Sequence, residues 1–268
     1  MTRQVRKRFL IGATAAAQVI LLVHLTVLLY IYITQDSLMN NSEISALVPH
    51  GGLNMLLLNL ALQAALCSGV LLGLYLFFRK TPSAEVFFFH FALLGFALSS
   101  LRALALPLAL QLTSLFSLQP FSKLIMFGRF FTILCLFLSG LFSTGLTFQK
   151  QGGYLLIVFV IALIISTLMP LDCTAFQPSL MCRLGRDTGF SIAYYLISVF
   201  AVLNYIYAAS LHSSRDYTYN ALALLLVIAG MEICYYWAHL PAGIGGALLI
   251  AGGAVIFAQR THAIYQWF

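Results

Sequence analysis

The chain has 268 residues, of which 62% are hydrophobic and 8% are charged, and its net charge is +7. An average soluble domain carries about 25% charged residues, so this composition excludes a soluble globular protein and indicates a chain with lipid as its solvent. The positive residues lie between apolar runs and form no basic stripe, which argues against a nucleic-acid-binding protein.

The first predicted element is a helix that follows a basic amino-terminal tail. Residues 9–33 form an apolar run, which is longer than the roughly 7–15 residues of a signal-peptide hydrophobic region. Small residues of the kind that mark a cleavage site do not follow it. We therefore predict a retained transmembrane helix that anchors the amino terminus.

Seven further apolar stretches are long enough to cross a bilayer core of about 30 Å, which requires about 20 helical residues. They are residues 53–78, 86–111, 123–148, 154–171, 189–211, 217–237 and 241–259. Turn-forming residues separate them, and Thr81 and Pro82 predict the start of the third helix, with Thr81 as its cap. The expected fold is all-α, a polytopic bundle of eight transmembrane helices. Residues 1–268 form a single membrane domain, with 9–33 as a leading anchor and 53–259 as a seven-helix unit.

The distribution of basic residues predicts the orientation of this bundle. With the amino terminus in the cytoplasm, nine Lys and Arg residues fall in inner segments and three fall in outer segments. The inner set is Arg3, Arg6, Lys7, Arg8, Arg79, Lys80, Lys150, Arg215 and Arg260, and the outer set is Lys123, Arg183 and Arg186. Because positive charge is concentrated on the cytoplasmic side of membrane proteins, we expect both termini in the cytoplasm.

Two cysteines support that orientation. Cys173 and Cys182 both fall in the predicted outer loop between the fifth and sixth helices. Disulfides persist on the oxidising side of a membrane, so we predict a Cys173–Cys182 disulfide, with two unpaired loop thiols as the alternative. Cys67, Cys135 and Cys234 lie in apolar helices, where a free thiol behaves as a small hydrophobe.

Ionisable residues inside the predicted helices mark the candidate site, because such residues are costly in lipid and face a partner or a cavity. Counted from the outer helix ends, Arg129 lies about 9 Å deep, and Glu232, Arg102 and His24 lie about 12–13 Å deep. Polar neighbours at helical spacing extend the set to Tyr235, Tyr236, His239, Asn59, Gln63 and Ser99. We expect Glu232 to be the sole carboxylate inside the membrane.

Three interpretations of this set stay open. In the structural one, Glu232 pairs with one arginine and the other arginine binds backbone carbonyls, which ties the helices together. In the second, the residues form an outward-facing pocket for an anionic ligand or lipid headgroup, since guanidinium groups bind such oxygens bidentately. The pocket would contain Arg102, Arg129, Glu232, His24, Tyr235, Tyr236, Asn59 and Gln63. In the third, Glu232 titrates during ion or proton movement.

Cofactor chemistry has little support in the sequence. His90 and His212 lie at similar depth on the inner side and are a candidate haem pair, but a second well-placed pair is missing, so no cofactor is expected. The spacings typical of zinc sites, P-loops and dinucleotide-binding loops are also missing from the sequence. No lysine lies within the last two helices, which excludes a retinal Schiff base.

The segment FRKTPSAEVFFF at residues 78–89 is a short basic turn followed by an aromatic helix start. This segment and the seven-helix layout of residues 52–262 resemble the seven-transmembrane sensor domains of bacterial signalling proteins. The chain departs from that pattern in having no large extracytoplasmic domain and no output domain before Phe268. The resemblance therefore implies a separate signalling partner protein.

The sequence leads us to expect a non-enzymatic, sensor- or receptor-like or ligand-binding subunit of the cell (cytoplasmic or inner) membrane. Its partners would be the lipid bilayer, an anionic amphiphile or lipid, and a signalling protein. The alternative is a transporter or a membrane-embedded enzyme that acts on a lipid-like substrate. A single titratable carboxylate argues against the enzyme, and the lack of an evident internal repeat argues against the transporter.

Overall fold

Eight long helices make up most of the described chain. The computed structural model describes residues 3–34, 52–78, 83–105, 119–145, 151–177, 181–185, 188–236 and 240–266. The helices are α1 (Arg3–Ile33), α2 (Gly52–Phe77), α3 (Ala84–Leu98), α4 (Gln119–Ser143), α5 (Gln151–Leu168), α6 (Thr188–His212), α7 (Arg215–Tyr236) and α8 (Leu240–Gln266). Within these residues, eight helical segments are long and apolar enough to cross a membrane. The predicted number of such helices is confirmed.

The third helix differs most from its prediction. It changes at Ser99 into a 3-10 helix over Ser99–Leu104, whereas the sequence predicted a continuous α-helix to Gln111, beyond the described residues. The hydroxyls of Ser99 and Ser100 donate to the carbonyls three residues earlier, at 2.6 and 2.8 Å. Such bonds compete with the regular α-helical pattern. The N-cap is also corrected, because Ser83 caps the helix by accepting the Val86 N–H at 3.2 Å, whereas Thr81, the predicted cap, lies outside the described residues.

A two-stranded antiparallel hairpin connects α5 to α6, where the sequence predicted only a loop. Strand β1 (Leu171–Gln177) pairs with β2 (Met181–Leu184), with a register shift between Asp172 and Phe176. Cys182 is buried, its N–H donates to the Ser122 hydroxyl at 3.0 Å, and it is not among the free thiols. The side chain of Cys173 lies outside the described residues, so the disulfide stays a prediction.

Helices α3 and α4 form the buried centre of the bundle. Around them, α1 and α2 pack on α3, α6 packs on α4, and α8 closes the arrangement between α7 and α2. The outer faces of α1, α5 and α6 expose large apolar side chains, such as Leu22, Leu156 and Phe200. Exposed apolar surface on this scale is unfavourable in water and is suited to lipid.

Small residues allow the backbones of two helices to come into contact at three crossings. A Cβ atom on Gly230 of α7 would lie 2.6 Å from the Gly246 carbonyl oxygen of α8, and one on Gly140 of α4 would lie 2.7 Å from the Ala201 oxygen of α6. At a third crossing, between α4 and α3, a Cβ atom on Gly128 would lie 2.6 Å from the Gly95 carbonyl oxygen. This last contact places Arg129 beside the 3-10 segment that carries Arg102.

Candidate functional site

Arg129 forms an ion pair with Glu232 towards the end of the bundle at which α7 ends, the end that the sequence predicts to lie outside. The Nη2 atom of Arg129, on α4, lies 2.8 Å from Oε2 of Glu232, on α7. The same nitrogen donates to the Tyr236 hydroxyl at 3.1 Å, and the Tyr195 hydroxyl donates to the same carboxylate oxygen at 3.3 Å. Three helices, α4, α6 and α7, therefore contribute to one hydrogen-bonded group.

Tyrosine rings surround the Arg129 guanidinium. Its central carbon lies 4.2 Å from the ring centroid of Tyr235, 4.3 Å from that of Tyr194 and 5.0 Å from that of Tyr236. Ring faces carry negative charge density and stabilise a cation at these distances. We call Arg129, Glu232, Tyr194, Tyr195, Tyr235 and Tyr236 the Arg129 cluster.

The Arg129 cluster is accessible from the side of the bundle rather than through its interior. The Arg129 and Glu232 side chains are 11% and 18% exposed, and Tyr195 and Tyr236, which hydrogen-bond to them, are about half exposed. Two cavities beside Arg129 have volumes of about 10 Å³ each, enough for about one water molecule. A larger ligand would have to approach between α6 and α7.

Arg102 has different partners. It is 2% exposed, and its Nη1 and Nη2 atoms donate to the carbonyl oxygens of Tyr235 and Cys234 at 3.1 and 2.9 Å. Nη2 also donates to Oε1 of Gln63 at 3.3 Å. These residues, with Ser99, are the Arg102 cluster.

The two carbonyls belong to the last turn of α7, which leaves its final carbonyl groups without intrahelical partners and carries partial negative charge. The guanidinium therefore caps this helix end. Among the described residues no carboxylate pairs with Arg102. The partial negative charge at the α7 terminus balances the guanidinium charge instead.

Gln63 completes the Arg102 cluster by joining α2 to the 3-10 segment. Its amide nitrogen donates to the Phe96 carbonyl at 3.3 Å and to the Ser99 hydroxyl. Ser99 in turn donates to the Phe96 carbonyl at 2.6 Å. The amide orientation is determined by this network, because the opposite face of Gln63 must accept from Arg102.

His24 and Asn59 of the predicted set lie apart from the Arg129 cluster. His24 is buried beside the backbone of Leu57 and Ser100, and neither ring nitrogen forms a hydrogen bond within the described residues. Asn59 packs against Gly243 of α8, where any side chain would overlap with its amide. The lack of a side chain at Gly243 thus makes room for the Asn59 amide in the α2–α8 contact. His239 lies outside the described residues.

Two tyrosines of α6, Tyr194 and Tyr195, were missing from the predicted set. Helical spacing from Glu232 identifies neighbours on its own helix, Tyr235 and Tyr236, but contains no information about which face of α6 packs there. The sequence did contain a usable signal. Counting depth from the helix ends for tyrosines as well as charged residues places Tyr194 and Tyr195 in the first half of α6, at a depth similar to that of Arg129.

The histidines of the considered haem pair each contact a protein group. Thr14 donates its hydroxyl proton to the Leu10 carbonyl at 2.9 Å, so His90 Nε2, 3.0 Å away, must be the donor to that hydroxyl. His212 Nε2 lies 3.2 Å from the Ser143 carbonyl oxygen. The ring of His212 stacks on Tyr217 at 5.1 Å.

A second carboxylate lies inside the helical bundle, which corrects the expectation that Glu232 is the sole one. Glu85, in the first turn of α3, is 1% exposed. The sequence placed it at a helix start next to a loop, where a carboxylate is normally solvated. Side chains of α6, α7 and α8 instead surround this end of α3.

The comparisons with protein families, curated proteins and solved structures find no match to this chain. In the described part of the chain, no group of three or more His, Cys, Asp or Glu side chains is arranged to hold a metal ion.

Proposed function

We propose that the chain is an integral protein of the cell membrane with both termini in the cytoplasm. An even number of spanning helices brings the two ends to the same side, and the nine-to-three distribution of basic residues selects the inner side. A reporter active only in the cytoplasm should work when fused after Phe268, and a reporter active only outside should be silent there. The opposite pattern would remove one span or invert the orientation.

We propose further that the protein is a non-enzymatic, receptor-like or ligand-binding subunit that recognises the headgroup of an anionic amphiphile at the Arg129 cluster. The observation that carries this proposal is the partly exposed Arg129–Glu232 pair between Tyr195 and Tyr236. Because the hydrogen bonds of Arg129 to the described residues both use Nη2, we expect its Nη1 donors to be available to a ligand. Phosphate and carboxylate oxygens are the groups that a guanidinium binds best.

The depth of the cluster suits a headgroup that enters from the outer leaflet. Arg129 follows Lys123 by six residues, or about 9 Å along a helix. Tyrosines with exposed hydroxyls are typical of the membrane–water boundary. A lipid between α6 and α7 would keep its chains against the apolar outer faces and bring its charged oxygens to Arg129.

Arg129→Gln should weaken binding of phosphatidylglycerol by at least about tenfold, or about 1.4 kcal/mol. Glu232→Gln should leave the affinity unchanged or raise it, since it removes a competing negative charge. Native mass spectrometry of the purified protein would identify co-purified anionic lipid, and titration with phosphatidylglycerol would give the affinities. Arg260→Gln is the matched control, because Arg260 pairs with Asp216 at the exposed opposite end.

The proposal is wrong if no anionic species co-purifies and Arg129→Gln binds phosphatidylglycerol as wild type does. A variant that only melts earlier, with unchanged affinity, would assign the Arg129 cluster to helix association alone.

A further inference from the structure

Four helices bring hydroxyl groups to Glu85 at the end of the bundle opposite the Arg129 cluster. The Tyr265 hydroxyl of α8 lies 3.5 Å from Oε1 of Glu85. Tyr205 of α6 and Tyr217 of α7 lie within electrostatic range of its carboxyl group. Ser139 of α4 donates to the Glu85 backbone carbonyl at 2.9 Å.

The carboxyl group of Glu85 has almost no compensation for its burial. Oε2 makes no hydrogen bond and is shielded from solvent, and among the described residues the long contact to Tyr265 is the only hydrogen bond of the side chain. Glu232, by contrast, lies 2.8 Å from a guanidinium. An ionised carboxylate buried without a partner costs far more than a neutral carboxylic acid in the same place.

The described helices around this end supply no cation that pairs with Glu85. Arg6 of α1 lies in electrostatic range of Tyr265 and forms no ion pair with Glu85. Arg260 of α8 pairs with Asp216 of α7 at 3.3 Å, and Arg215 of α7 is exposed. Among the described residues no Lys or Arg forms an ion pair with Glu85, and the described parts of α2 and α4 bring no charged side chain to this end.

The described groups that α6, α7 and α8 bring close to the Glu85 carboxyl group are the neutral phenols Tyr205, Tyr217 and Tyr265. The hydroxyl proton of Tyr205 is engaged elsewhere: Ser139 donates its own proton to the backbone carbonyl of Glu85, so its oxygen accepts from the Tyr205 hydroxyl at 2.8 Å.

A short route connects the carboxyl group to solvent. Tyr265 lies in the last turn of α8 and is 37% exposed. Its hydroxyl contacts Glu85 while its ring reaches the surface, so the phenol separates the carboxyl group from water by a single side chain.

We propose that the carboxyl group of Glu85 is a proton-binding site at the inner end of the bundle, reached from solvent past Tyr265. In its neutral form it holds α3 against α8, and loss of the proton destabilises that contact. This site is independent of ligand binding at the Arg129 cluster.

A hydrophobic carbodiimide, which reacts with protonated carboxyl groups in apolar surroundings, tests the proposal on the wild-type protein. Peptide mapping of the folded protein in detergent should find the label on Glu85 and none on the ion-paired Glu232. Labelling of Glu85 should be lost as pH rises. Glu232→Gln, as control, should leave Glu85 labelling unchanged.

Thermal unfolding supplies a second readout. Glu85 in the unfolded chain ionises freely as pH rises, whereas the folded site retains its proton, so the melting temperature of the wild type should fall with rising pH. Glu85→Gln imitates the neutral carboxyl group and should lose this part of the pH dependence.

The proposal is overturned if the folded protein takes no carbodiimide label at Glu85, or if wild type and Glu85→Gln show the same pH dependence of the melting temperature. It is also overturned if sodium at constant pH protects Glu85 from the label. This last result would make a metal cation the occupant. If Glu85→Gln does not fold, labelling of the wild type still decides.

Discussion

Arg102 and Arg129 lie against the same aromatic ring, that of Tyr235, but they are neutralised in different ways. Arg102 is fully buried and donates to two carbonyls at the end of α7 and to Gln63. Arg129 is partly exposed and has a carboxylate and three tyrosine rings around it. A buried guanidinium can therefore be stabilised by a helix terminus, without a carboxylate.

This difference bears on two of the three interpretations that the sequence left open, the structural one and the ligand pocket. Arg102 corresponds to the structural one, since its hydrogen bonds join α2, the 3-10 segment and α7. Arg129 pairs with a carboxylate, but it is partly exposed and its hydrogen bonds to the described residues use only Nη2, which is the basis for the proposed ligand site. We expect the two arginines to respond differently to mutation.

The largest effect is expected for Arg102→Met, which retains an apolar stem and removes every donor. The Cys234 and Tyr235 carbonyls and Gln63 Oε1 would lose a charged partner inside the bundle. Hydrogen bonds to charged groups contribute about 1.5–3 kcal/mol each, and we expect the free energy of unfolding to fall by about 3 kcal/mol. Titration of the purified protein with denaturing detergent measures it. If this variant is as stable as the wild type, the carbonyl groups at the end of α7 do not need Arg102 as a cap.

An intermediate effect is expected for the coupling between Arg129 and Glu232. A double-mutant cycle with Arg129→Gln and Glu232→Gln should give a coupling free energy of about 2 kcal/mol, within the range for contacting, partly buried pairs. The free energies of unfolding lost in the two single variants should add up to more than the loss in the double variant, because each single variant leaves one charge without its partner. Additive single effects would mean that the tyrosine rings alone stabilise the guanidinium.

The smallest effect is expected for the surface pair of Arg260 and Asp216, which serves as the reference cycle. Their side chains are 44% and 31% exposed and lie 3.3 Å apart. An exposed pair contributes about 0–1 kcal/mol. If this coupling free energy equals that of Arg129 and Glu232, partial burial in the bundle adds nothing to the coupling of the Arg129–Glu232 pair.

Prediction from the sequence succeeded where one helix contains the information. The apolar run length identified all eight helices, and the helical period grouped Tyr235 and Tyr236 with Glu232. The turn spacing between Ser99 and Arg102 also placed two members of the Arg102 cluster together, although it assumed an α-helix where a 3-10 helix forms.

Partners on other helices were not accessible in the same way. The carbonyls of Cys234 and Tyr235 have no signature in the sequence, since every residue has a carbonyl group and only the packing of α7 against the 3-10 segment brings these two to Arg102. The same is true of Tyr194, whose ring reaches Arg129 because α6 crosses α4 at Gly140.

By itself, the sequence determined the number of membrane-length helices, the expected orientation from charge, and the presence of two arginines and a glutamate at similar depth in the same half of the bundle. These follow from one-dimensional quantities: run length, helical rise and the distribution of Lys and Arg. Only the tertiary structure decided that Arg129 rather than Arg102 pairs with Glu232, and that Glu85 is buried. The rotation and crossing of each helix depend on close packing at residues such as Gly128 and Gly230, and that packing is a property of pairs of helices.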